Sequence, residues 1–173
     1  MEHIAELEDE YFQLRFFYSK DDSCVDWAVE RLRHDQEGDD LEVILLASAR
    51  GRDEILPLVE IIVDRYRGPE RLDDQSLAGK YIVKLRQIYL QGQETIHSLD
   101  EKFTQLYSKL GYPNWLVMLS RNCEYATDVP AFVQPFEDEF EYISSLWDAS
   151  RNLAEFEAQY SRKISDQHDI NYN

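Results

Sequence analysis

Apolar residues return every three or four positions along most of the chain, and this rhythm excludes most folds. Ile4, Leu7, Tyr11, Leu14 and Tyr18 trace one face of a helix. Val25, Ala28, Val29 and Leu32 trace a second, which follows Ser23, a favoured N-cap. A third starts near Asp39 or Asp40 and carries LEVILLASA, apolar enough to be mostly buried, with Gly51 as its left-handed stop. Asp53 can cap a fourth, with the stripe Ile55, Leu58, Val59, Ile62 and Tyr66. The fifth, over 75–91, turns Ala78, Ile82, Leu85 and Tyr89 inward. Ser98 and Glu101 read as a capping box for a sixth, striped by Leu99, Phe103, Leu106 and Leu110. Asn114 can cap a short helix, WLVMLS. After Cys123 an irregular segment with Pro130 and Pro135 leads to a long helix, which starts with Phe136, Phe140, Ile143 and Trp147 and runs to about Ile164.

No alternating strand pattern and no Gly-rich hairpin turn interrupts this series. The expectation is an all-α fold: one domain over residues 1–165, built as an antiparallel, solenoid-like array of about seven to nine helices. Residues 166–173 read as a frayed tail.

Charge narrows the function. With 35 acidic and 18 basic residues the net charge is −17, which repels nucleic acid and anionic membranes and attracts basic proteins. Two cysteines, Cys24 and Cys123, are too few for a disulfide scaffold. Met1 is followed by an acidic amphipathic stretch, so no signal peptide is expected, and VILLASA is too short to span a bilayer. These features predict a cytoplasmic protein.

The chemistry of an enzyme is not visible. The sequence has no HExxH, P-loop, GxGxxG or GxSxG pattern. His3, His34, His97 and His168 are scattered, without the helical spacing of metal ligands. Asp73 and Asp74 could serve as acid and base, but neighbours on a helix point about 100° apart. The expectation is a protein without catalytic residues, metal or cofactor; a carboxylate-based enzyme is the weaker alternative.

Placement of the acids is more informative. Between Arg121 and Arg151 there is no basic residue, yet Glu124, Asp128, Glu137, Asp138, Glu139, Glu141 and Asp148 all fall there. On a helical wheel Asp138, Glu141 and Asp148 lie opposite the apolar stripe of PFEDEFEY, and Glu137 and Glu139 flank it. In an antiparallel array the turns HDQEGDD and GPERLDD share an edge that offers Asp35, Glu37, Asp39, Asp40, Glu70, Asp73 and Asp74, whereas SKDDS and ARGRDE balance their charges on the other edge. Asp39, Asp40, Asp73 and Asp74 also read as helix caps. Tyr112, Trp115, Tyr125, Phe132 and Phe136 border the acidic segment as possible anchors; Trp115, Phe132 and Phe136 read equally as core. The candidate partner-binding set is Asp39, Asp40, Asp73, Asp74, Glu124, Asp128, Glu137, Asp138, Glu141, Tyr112 and Tyr125.

The segments FYSKDDSCVDWAVERL, GDDLEVILLASARGRDEILPLVEIIVD and SLDEKFTQLYSKLGYP, with a Trp in the last helix, resemble a family of small, acidic bacterial proteins defined only as a domain of unknown function. The likeness runs from about Phe16 to Trp147 and has the character of immunity proteins, which neutralise toxins passed between competing bacteria. It implies a helical fold and supplies no catalytic residue. Its implied partner is a basic toxin domain, such as a nuclease encoded upstream, whose cleft an acidic surface would cover. A general helical interaction module or nucleic-acid mimic is the alternative.

Overall fold

The structure, a computed structural model, describes residues 1–17 and 22–170, with the backbone alone over 162–170. The fold is all-α: among the described residues there are nine α-helices, two short 3-10 turns and no strand. The chain divides into two compact units, Met1–Arg71 and Leu72–Asn173.

The N-terminal unit holds α1 (Ile4–Phe17), α2 (Asp22–Arg33), α3 (Leu41–Leu46) and α4 (Arg52–Arg67), closed by a 3-10 turn at Gly68–Glu70. The other three helices pack around α4. Leu7, Val43, Leu46, Val59, Ile62 and Val63 are fully enclosed at its centre, each contributing about 1.5–3 kcal/mol by leaving water. On α2 the buried face is Cys24, Trp27, Ala28 and Arg31, one position back from the stripe read in the sequence; Val25, Val29 and Leu32 are half-buried. Trp27 sets this rotation by donating its indole N–H to the His3 carbonyl at 3.0 Å. The segment LEVILL is not mostly buried: Leu41, Ile44 and Leu45 face outward. Tyr18 and the turn residues 19–21 of SKDDS lie outside the described residues.

The C-terminal unit holds α5 (Asp74–Leu90), α6 (Ile96–Lys109), α7 (Asn114–Asp128), a 3-10 turn at Pro130–Phe132, α8 (Val133–Asp148) and α9 (Leu153–Ile170). Helix α8 packs on α5, α7 and α9, and α6 packs on α7. The rings of Phe103, Phe136 and Phe140 interlock at centroid distances of 5.4–6.3 Å. Gly79 is required where α5 crosses α8, because a Cβ there would sit 2.1 Å from the Trp147 ring.

Several boundaries differ from the sequence reading. Helix α7 is not short but runs to Asp128, so the irregular segment shrinks to the Pro130–Phe132 turn. The long C-terminal helix is split: Ser150 Oγ donates back to the Leu146 carbonyl, and Asn152 Oδ1 accepts from the Glu155 N–H and starts α9. The backbone of α9 stays helical to Ile170, beyond the expected end at Ile164; residues 171–173 of the tail lie outside the described residues. The capping box of α6 uses Thr95 and Ser98 in place of Ser98 and Glu101. Gly51, at φ 76°, serves as the N-cap of α4, the role expected of Asp53.

Candidate protein-binding surface

Period 3.6 places Gln134, Asp138, Glu141, Ser145 and Asp148 in one exposed stripe along α8, while Phe136, Phe140, Ile143 and Trp147 hold the opposite side in the core. The stripe forms a ridge between two shallow grooves. One, of about 160 Å³, is lined by Arg86, Tyr89 and Leu90 of α5 together with Asp138 and Glu141. The other, of about 430 Å³, lies towards Gln159 of α9, and Asp138 and Glu141 line it too.

None of the seven carboxylates between Arg121 and Arg151 forms an ion pair among the described residues; the C-terminal unit has pairs elsewhere, at Lys102–Glu94 and Arg151–Glu155. Two of the seven accept neutral hydrogen bonds: Glu137 from the Tyr89 hydroxyl and Asp138 from the Gln134 amide, both at 2.8 Å. Burial and the Glu137 carboxylate push the Tyr89 hydroxyl up to about 12, so it stays a donor. Glu139 is half-buried, and desolvation raises its carboxyl above the usual range.

A second acidic group gathers where α6 meets α7. Burial, with Glu124 next, raises the carboxyl of Asp100, and Glu101 and Asp128 push the same way while His97 opposes them. Asp100 Oδ1 is enclosed without a hydrogen-bond partner. Sequence reading missed Asp100 because its position carries no local signal; only the packing of α6 on α7 brings Glu124 and Asp128 to it.

The remaining candidates separate clearly. Tyr125 is exposed on α7, with its ring edge-on to Phe132 at 5.0 Å. Tyr112 is exposed and left-handed at φ 61°, a conformation that costs a side-chain-bearing residue roughly 1–2 kcal/mol. Trp115 and Phe136 are core residues. Asp73 is exposed but caps α5, accepting from the Ser76 N–H and hydroxyl at 2.9 Å, and Asp74 follows it in the first turn. Asp39 is exposed. Asp40 is not a surface group: its carboxylate is enclosed, caps α3 through the N–H groups of Glu42 and Val43, and accepts from Arg65 at 2.8 Å and the Tyr66 hydroxyl at 2.5 Å. Burial opposes its charge, but these bonds outweigh burial and hold its carboxyl below the usual range. Asp39 and Asp40 belong to the N-terminal unit, and Asp73 and Asp74 to the C-terminal one.

Both cysteines are buried, and burial together with Asp100 pushes the Cys123 thiol up to about 12, so at neutral pH it is a thiol packed in the core. Among the described residues no group of three or more His, Cys, Asp or Glu is placed to hold a metal ion, and no helix is long and apolar enough to cross a membrane. Comparison with protein-family models, curated proteins and solved structures gives no match.

Proposed function

We propose that this chain is a non-catalytic binding protein that captures a basic protein on the carboxylate ridge of α8 and the adjoining end of α7. The observation that carries the reading is the run of seven carboxylates without an ion pair among the described residues. A fold gains nothing from like charges held along one helix, whereas a partner bearing Lys or Arg converts them into charge-assisted contacts. Such a surface raises the encounter rate at low salt, and Tyr125 beside Glu124 and Asp128 offers an aromatic contact among the charges.

The partner chemistry that fits is a protein with a phosphate-handling cleft, because a cleft built to hold a polyanion presents the clustered cations this ridge lacks. In keeping with the immunity-like resemblance, the specific partner is a toxin nuclease domain whose active cleft the ridge covers in the cytoplasm. Within the C-terminal unit, Tyr112 joins that contact as an exposed aromatic, and the exposed Asp73 and Asp74 contribute charge.

The test is to measure association with the domain encoded upstream by stopped flow across a salt series. Association should slow as salt rises, and Asp138→Lys with Glu141→Lys should slow it about tenfold or more at low salt. The same rate at every salt concentration, or no change in the double variant, refutes the ridge as the binding surface.

A further inference from the structure

Helix α3 exposes most of its apolar side chains. Of its six residues only Val43 and Leu46 are buried, while Leu41, Ile44 and Leu45 are 60%, 43% and 46% exposed. Their i, i+3, i+4 spacing puts them on one face. Arg65 of α4 bonds both Asp40 and Glu42 at the start of α3, which sets the two helices antiparallel. One turn forward along α3 and one turn back along α4, Leu45 therefore comes level with Ile61, which is 43% exposed. Scattered exposed apolar residues are ordinary; four large ones on neighbouring turns are not.

The border of this face is acidic at the N-terminal end of α3, while Arg50 is exposed beyond its C-terminal end. The turn that leads into α3 exposes Asp35 and Asp39, whereas the charges of Asp40 and Glu42 are matched by Arg65. We propose that the outer face of α3, with Ile61, is a docking surface for an amphipathic helix of another protein that presents Leu- or Ile-type side chains flanked by Lys or Arg. Charge selects this occupant over a second copy of the chain: each copy carries −17, and a symmetric pair would bring the same acidic turns together. Size points the same way, since four side chains expose a few hundred Å², short of the ~800 Å² per partner that a stable dimer buries. The matching geometry is a helix laid on an apolar face through anchors at i, i+3, i+4 and i+7. The site goes beyond the α8 ridge and rests on different residues of the other unit.

The probe is a synthetic peptide of about 18 residues with Leu at i, i+3, i+4 and i+7 and Lys elsewhere, titrated by calorimetry into the full chain. It should bind one to one, and a scrambled peptide of the same composition should bind at least tenfold more weakly. Leu41→Ser with Ile44→Ser and Leu45→Ser should weaken binding tenfold or more with an unchanged helical spectrum. Leu45→Arg alone gives the same reading if the triple variant fails to fold. Asp138→Lys with Glu141→Lys should leave the peptide affinity within about threefold, which separates this site from the ridge. Equal binding of the scrambled peptide, unchanged binding by the α3 variants, or loss confined to the α8 variant overturns the proposal. So does a dimer in sedimentation that Leu45→Arg dissolves, which would assign the face to a second copy.

Discussion

In the N-terminal unit, several carboxylates are matched by cations at close range. Glu8, with 2% of its side chain exposed, is paired by Arg67 at 3.2 Å. Asp40 and Glu42 share Arg65, and Arg71 bridges Glu60 and Asp64 while the Tyr11 hydroxyl donates to Glu60. In the C-terminal unit the ridge carboxylates form no ion pair among the described residues, and Asp100 faces Glu124, Glu101 and Asp128. One acidic chain thus carries its acids in two ways, as ties where α1, α3 and α4 pack together and as an unpaired face along α8. Net charge alone cannot distinguish these uses; only the third-dimensional partner of each carboxylate does.

The sharpest way to break the contrast is to remove a tie. Arg67→Ala leaves Glu8 charged and enclosed, and should cost about 3 kcal/mol of folding stability, measured by urea or thermal denaturation. Adding Glu8→Gln should restore part of that loss. A cost no larger than that of an ordinary surface substitution would mean the N-terminal pairs are not ties at all.

Acid acts on two sets of carboxyls with opposite sign. The carboxyls of Asp40 and Glu60 are held low: Asp40 by bonds from Tyr66 and Arg65 that outweigh its burial, Glu60 first by its bond from Arg71. Their contribution is complete above the unfolded carboxylate range near ~4 and is lost as pH falls through their lowered folded values. Asp100 and Glu139 are raised by burial, so the folded state binds their protons more tightly and is stabilised as pH falls from neutrality through their folded values. Asp100→Asn should therefore stabilise the protein at neutral pH by up to about 1 kcal/mol, and the gain should fade towards acid pH. Denaturation midpoints of both proteins across pH check this; a constant difference would show that Asp100 does not titrate as its surroundings require.

The sequence revealed the helices because core formation in an all-α chain is written in spacing. Leu99, Phe103 and Leu106, or Phe136, Phe140 and Ile143, announce their faces without help from the rest of the molecule. It also revealed the α8 ridge, since a stretch without Lys or Arg makes no local pairs. What was not legible depends on contacts distant in sequence. Asp40 reads as an exposed cap until Arg65 and Tyr66, more than twenty residues on, close over it. Asp100 looks like any first-turn acid until α7 packs against it. LEVILL looks like core because its composition is apolar on every side, and composition does not say which side has a neighbour.

The smallest predicted effect tests the other half of the contrast. Asp138 and Glu141 sit on the exposed stripe, and among the described residues Asp138 has only a neutral amide donor, so replacing both with Lys should change folding stability by no more than about 0.5 kcal/mol. The sign should be slightly favourable at low salt, because Lys at these sites relieves repulsion from Glu137 and Glu139 on the same helix. At 0.15 M salt the screening length is about 8 Å, so most of that gain should disappear. Denaturation midpoints at low and high salt measure it directly. A loss comparable to that of Arg67→Ala, insensitive to salt, would mean these carboxylates are structural after all, and the ridge would no longer be a surface held open for a partner.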